Sequence, residues 1–232
     1  MRADVCLLLA TLLIAPAARA QDVGGAVDLT GMGIYGMEEA VKEAAGGKAK
    51  KSGRPKAAPA RLTFIPSAAQ RKQNLAAYVA KIRTKDPAGA DRLQKMFAER
   101  DVFGMMGQKM GPVGLRTNNV ADAYALWWVV AYSAAHGKEV PMNRALLTAV
   151  RAQTVRAFGS ASGASKLTDA VKQRVAESCL LEALMIDTMM ESARGKSDLI
   201  KAIGQAVRQG ARNSGVDLDT YQLTAKGFVP RK

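Results

Sequence analysis

The sequence predicts an all-α fold, an irregular multi-helix bundle forming a single domain. Three observations carry this expectation. From about residue 63 onward apolar side chains recur at helical spacing, as in Leu75, Tyr78, Val79 and Ile82. Capping residues stand just ahead of these runs, at Ser67, Asp86, Asp101 and Asn119. No stretch alternates convincingly between apolar and polar residues, so no strand is expected.

The chain opens with Met1-Arg2-Ala3, an apolar run over residues 6–17, and Ala18-Arg19-Ala20. A positive start, a short apolar core and small residues at its end describe a secretory signal peptide, cleaved before Gln21. That core is too short to anchor in a bilayer. Residues 1–20 are therefore read as a leader, and no transmembrane segment is expected in the mature chain.

Residues 21–61 read as a flexible basic lead-in. Gly24-Gly25, Gly31, Gly33, Gly36 and Gly46-Gly47 interrupt regular structure, with room for a short helix at 37–45. Lys48, Lys50, Lys51, Arg54 and Lys56 follow, with Pro55 and Pro59 among them. Such a segment serves either as a solvated linker or as an arm that samples anionic surfaces.

Residues 62–230 form the expected helical domain. Ser67 and Gln70 suggest a capping box opening the first helix. Asp86-Pro87 ends that helix and starts a second, whose apolar face holds Leu93, Met96 and Phe97. Asp101 opens a short third helix to about residue 106, stopped by Gly111-Pro112 and Gly114. Asn118-Asn119 cap a fourth, which runs to His136 and stops at Gly137, with Asp122 favoured in its first turn. Val140-Pro141 is expected to open a fifth helix bearing Leu147, Val150, Thr154 and Phe158. A small-residue loop at 159–165 leads to a long helix over 167–193. Ser197 is expected to cap the last helix, and the tail at 216–230 has enough apolar residues to dock on the body.

Bulk charge narrows the partners. Removing the leader, with Arg2, Arg19 and Asp4, takes the net charge from +14 to +13. The excess favours anionic surfaces, or confers solubility alone. Cys6 leaves with the leader, so Cys179 is single and no intramolecular disulfide can form in the mature chain. Its neighbours Leu180, Leu181 and Leu184 suit a small buried hydrophobe better than a nucleophile.

The residues offer no recognisable catalytic motif. One histidine rules out a multi-histidine metal centre or an HExxH helix. Gly159 to Gly163 mimics a nucleophile elbow, yet its centre is Ala161. No cofactor and no metal are expected. Met96, Met105, Met106, Met110, Met142, Met185, Met189 and Met190 follow helix faces and read as core rather than as a copper site.

The most suggestive segment runs from Gly114 through Asn119 and Asp122 into the fourth helix. There Tyr124, Trp128, Tyr132 and His136 fall four residues apart, along one side. Two readings stand. The row is an aromatic wall with Arg116, Asn119 and Asp122 at its mouth, or it is a core helix whose polar ring tips reach partners at the core edge.

Thr63-Phe64-Ile65-Pro66-Ser67, Arg71, Asn74-Leu75, Asp86-Pro87, Asp101-Val102 and the run LRTNNVADAY at 115–124 together resemble a family of uncharacterised secreted bacterial proteins, a domain of unknown function. The likeness spans residues 63–228, and the 115–124 run is its most specific part. It implies a secreted helical protein and brings no activity or catalytic residue.

These readings converge on an exported cell-envelope protein, periplasmic or secreted, that works as a non-enzymatic binding or interaction module. An anionic envelope surface or another envelope protein is the expected partner; no specific nucleic acid is. The alternative is a small-ligand or hydrolase-type site beside the helix face from Tyr124 to His136.

Overall fold

The computed structural model describes residues 61–160 and 167–231. The expected leader, the expected lead-in with Lys48, Lys50, Lys51, Arg54 and Lys56, the short helix expected at 37–45 and most of the loop expected at 159–165 lie outside the described residues. Among the described residues seven α-helices follow one another: α1 (Ala68–Arg83), α2 (Pro87–Glu99), α3 (Val102–Met110), α4 (Val120–Ala135), α5 (Arg144–Ser160), α6 (Asp169–Ser192) and α7 (Ser197–Asn213). Their lengths run from 9 to 24 residues, as an irregular bundle requires. A 3-10 turn at Leu218–Thr220 leads to two short strands, β1 (Tyr221–Thr224) and β2 (Gly227–Pro230).

The strands correct the all-helical expectation. They pair antiparallel, Tyr221 opposite Pro230 and Thr224 opposite Gly227, so only Ala225 and Lys226 connect them. Gly227 sits at φ +96°, a left-handed value that a side chain would strain.

The caps follow the local chemistry of the sequence. Asp86 accepts from Gly89 N at 2.8 Å, Asp101 from Gly104 N at 3.0 Å, and Asn119 from Ala121 N and Asp122 N. Ser67 accepts from Gln70 N at 3.3 Å, but the return half of the expected capping box is missing. Gln70 reaches forward to Asn74 instead, and the Ser67 N–H donates to Gln173 on α6. Three boundaries also moved. Helix α5 starts at Arg144, with Asn143 accepting from Leu146 N; Pro141 belongs to the irregular connection before it. Ser197 is the first residue of α7 and makes no capping bond. Helix α3 continues to Met110, past the expected stop near 106.

Helix α4 is the axis of the body. It is apolar around its circumference, the signature of a helix enclosed by others, and it packs against α5, α6 and α7. Contact with α7 is close: a Cβ on Gly204 would stand 2.9 Å from the Ala134 carbonyl oxygen. Helices α1 and α2 pack together, and α1 also leans on α6. The segment 62–64 runs beside the start of α4, with Phe64 N donating to Asn118 O (3.1 Å) and Val120 N to Leu62 O (3.0 Å).

Candidate functional site

The segment from Leu115 to Tyr124 is a structural clamp. Asn119 is buried and caps α4; Asn118 holds Phe64 through main-chain and side-chain bonds. Asp122 is fully buried, and its carboxylate accepts from the Arg116 N–H (3.0 Å) and from the Arg151 guanidinium on α5. The Arg116 side chain is exposed and reaches the same carboxylate only at 3.8 Å. Thr154 on α5 donates to the Ala121 carbonyl oxygen, fastening the two helices again. Of the expected mouth residues, then, Arg116, Asn119 and Asp122 do stand together, and each is engaged in holding the loop, α4 and α5.

The aromatic row is packed. Tyr124, Trp127 and Trp128 are each 2% exposed or less, and Tyr132 is buried. Trp128 stacks on Phe228 of β2, with centroids 4.0 Å apart and planes at 20°. Phe228 also meets Tyr132 edge-on at 5.3 Å, and Tyr221 of β1 closes the other side of Trp128 at 5.8 Å. The hairpin is fixed there by Gln153 of α5, which accepts from Phe228 N and donates to Phe228 O. The polar tips do not reach the core edge. The Trp127 and Trp128 indole N–H groups and the Tyr124 hydroxyl are buried without a hydrogen-bond partner among the described residues.

His136 caps the end of α4. Its Nδ1 lies 3.0 Å from the Tyr132 carbonyl oxygen and its Nε2 lies 3.6 Å from Asp219. Arg208 and Arg212 of α7 both bind Asp219 and fasten the 3-10 turn to this helix; Lys201 stays exposed.

A second polar centre escaped the sequence. Glu177 on α6 is buried and accepts from Arg71 Nε (2.8 Å), Asn74 (2.7 Å) and Gln173 (2.9 Å). Arg71 also lies over the Phe103 ring at 4.7 Å, which ties α3 to the same centre. At the start of α6, Ile65 N donates to Asp169, and this bond, reinforced by Lys172, holds the Asp169 carboxyl below its ordinary range.

Other buried groups are pushed toward their neutral forms. Burial, then the nearby Glu182 charge, raises both the Cys179 thiol and the Tyr78 hydroxyl. A thiol so placed is a packed hydrophobe and not a nucleophile. Among the described residues no group of three or more His, Cys, Asp and Glu is arranged to hold a metal ion. No helix among them is long and apolar enough to cross a membrane.

The open apolar space lies on another side of α4. A cavity of about 600 Å³ is bounded by α3, α4, α6 and the connection before α5. Its wall is formed by Met105, Met106, Met110, Met142, Leu126 and Leu184. Of the methionines expected in the core, Met96 and Met110 are buried in it and Met106, Met142, Met185, Met189 and Met190 pack against it; Met105, Met106 and Met142 stay partly exposed. Charged groups border it: Arg100, Lys109, Glu139 and Asp187. Its size falls within the roughly 300–1,000 Å³ usual for small-ligand clefts. A second hollow, of about 970 Å³, lies between the hairpin and residues 138–146 and is bordered by Tyr132. It is the one of the two that touches the aromatic row.

The fold and this cleft define a helical body with an apolar, methionine-lined recess and polar clamps on either side. The chain belongs to a family of unknown function, DUF6683, whose model matches residues 33–231. That match begins within the stretch read as lead-in, thirty residues ahead of the resemblance noted at residue 63. No curated protein and no solved structure matches the chain.

Proposed function

We propose that this protein is an exported, non-catalytic binding module of the cell envelope whose helical body takes up an apolar group in the methionine-lined cleft. The cleft itself carries this reading. Thioether side chains are flexible and polarisable, so a wall of methionines adapts to apolar guests of differing shape. Export rests on the leader-like pattern of residues 1–20. The basic residues Lys48, Lys50, Lys51, Arg54 and Lys56 add a salt-sensitive attraction to anionic envelope surfaces.

A neutral solvatochromic dye such as Nile red tests the cleft. Its emission should rise and shift blue with the full chain, and Met106→Glu should abolish the response while leaving the melting temperature close to the parent's. An unchanged response in the variant removes the cleft from the function. Cell fractionation tests export: the processed chain, beginning at Gln21, is expected outside the cytoplasm.

A further inference from the structure

The charge around the cleft selects its guest. Arg100 and Lys109 both border the apolar wall, and among the described residues neither side chain makes an ion pair. Glu139 and Asp187 also border the cleft, and each makes an interaction of its own within the protein. The cleft therefore offers an adaptable apolar trough bordered by two cations that have no ion-pair partner among the described residues. Unpaired cations beside an apolar wall complement an anion joined to a hydrocarbon chain, whose charge stays in partly aqueous surroundings while its tail is desolvated.

We infer that the occupant is a single-chain anionic amphiphile, a free fatty-acid carboxylate, with its tail along Met105, Met106 and Leu184 and its carboxylate at Arg100 and Lys109. This rests on the reading of the cleft as a binding site. Lys109 sits in the last turn of α3 and Arg100 just past the end of α2. The two border the trough from opposite ends of α3, with Met105 and Met106 between them in the sequence. Neither is buried, so neither needs a partner inside the protein for the fold to form.

Calorimetric titration of the full chain, below the micelle concentration, decides the matter with three probes of equal tail: decanoate, decanol and decyltrimethylammonium. Decanoate should bind about tenfold tighter than decanol, and the cation weakest. The double variant Arg100→Gln, Lys109→Gln should bring decanoate down to decanol while leaving decanol unchanged. If the double variant fails to fold, Arg100→Gln and Lys109→Gln singly should each remove about a threefold part of the same gap. Equal binding of decanoate and decanol to the parent chain overturns the carboxylate assignment and leaves the apolar cleft standing. Failure of all three probes to bind, with no Nile red response, overturns both.

Discussion

Replacing Phe228 with alanine is the sharpest test of how the tail belongs to the body. The side chain is wholly buried and lies flat on Trp128 with its edge toward Tyr132. Truncating a buried phenylalanine costs about 3–5 kcal/mol, the larger values arising where surroundings cannot collapse into the space left. Collapse is hindered here, because Gln153 pins the Phe228 main chain by both its N–H and its carbonyl. The expected loss is therefore about 4 kcal/mol, a large share of the roughly 5–15 kcal/mol that holds a domain together. Urea denaturation followed by tryptophan emission measures it directly, since Trp127 and Trp128 both lie in α4. The midpoint should fall with little change in slope. Combining Phe228→Ala with Trp128→Ala should cost less than the two single losses added, by about 1 kcal/mol for the lost ring pair. A loss below about 1 kcal/mol for Phe228→Ala would mean that the hairpin is an appendage and that the aromatic row is sealed without it.

Asp122→Asn keeps the volume and removes the charge that Arg151 and the Arg116 N–H converge on; urea unfolding should show a loss of about 2–3 kcal/mol, whereas an unchanged midpoint would deny the clamp. The Asp169 carboxyl has a folded pKa below its unfolded value, chiefly through the Ile65 N–H. Its contribution is thus present above the ordinary carboxylate range near pH 4 and is lost as pH falls through the lower folded value, so Asp169→Asn should flatten the acid side of a melting-temperature profile. Cys179 should resist iodoacetamide in the native protein and react only as urea unfolds it; rapid native labelling would contradict its burial and raised pKa.

What the sequence disclosed was what local chemistry encodes. Asp86, Asp101 and Asn119 cap their helices because the partner amides lie two or three residues ahead, within reach of any reader of the chain. The hairpin lacked that clarity. Its strands hold four residues each, and its signals, the spacing of Tyr221 and Leu223 and the glycine at 227, are too brief to separate from a docked tail. The candidate site divides in the same way. Arg116, Asn119 and Asp122 were legible as a cluster from proximity in sequence, but their occupation depends on Arg151, 29 residues beyond Asp122. Glu177 was invisible as a centre because Arg71 and Asn74 precede it by more than a hundred residues. The cleft escaped for a different reason. Helical periodicity marks Met105 and Met106 as apolar positions of a helix, and it cannot tell a filled interior from an unfilled one.

The polar clamps and the apolar cleft are parts of one arrangement. An apolar wall left beside water loses about 25 cal/mol for each Å² it fails to bury, so a short helix such as α3 gains by collapsing onto α4 unless something holds it in place. It is held at both ends. Near its start, Asp101 caps it and Phe103 lies beneath Arg71, whose guanidinium is fixed in turn by buried Glu177. Beyond its end, Gly114 turns the chain at φ +83°, Leu115 is buried, and Arg144 donates to the Pro112 carbonyl oxygen. The 115–124 run then locks to α5 through Asp122 and Arg151. That run therefore fixes one wall of the cleft relative to the helices that form the other. A site whose own lining is flexible methionine needs that rigidity from its frame, because the lining cannot supply it.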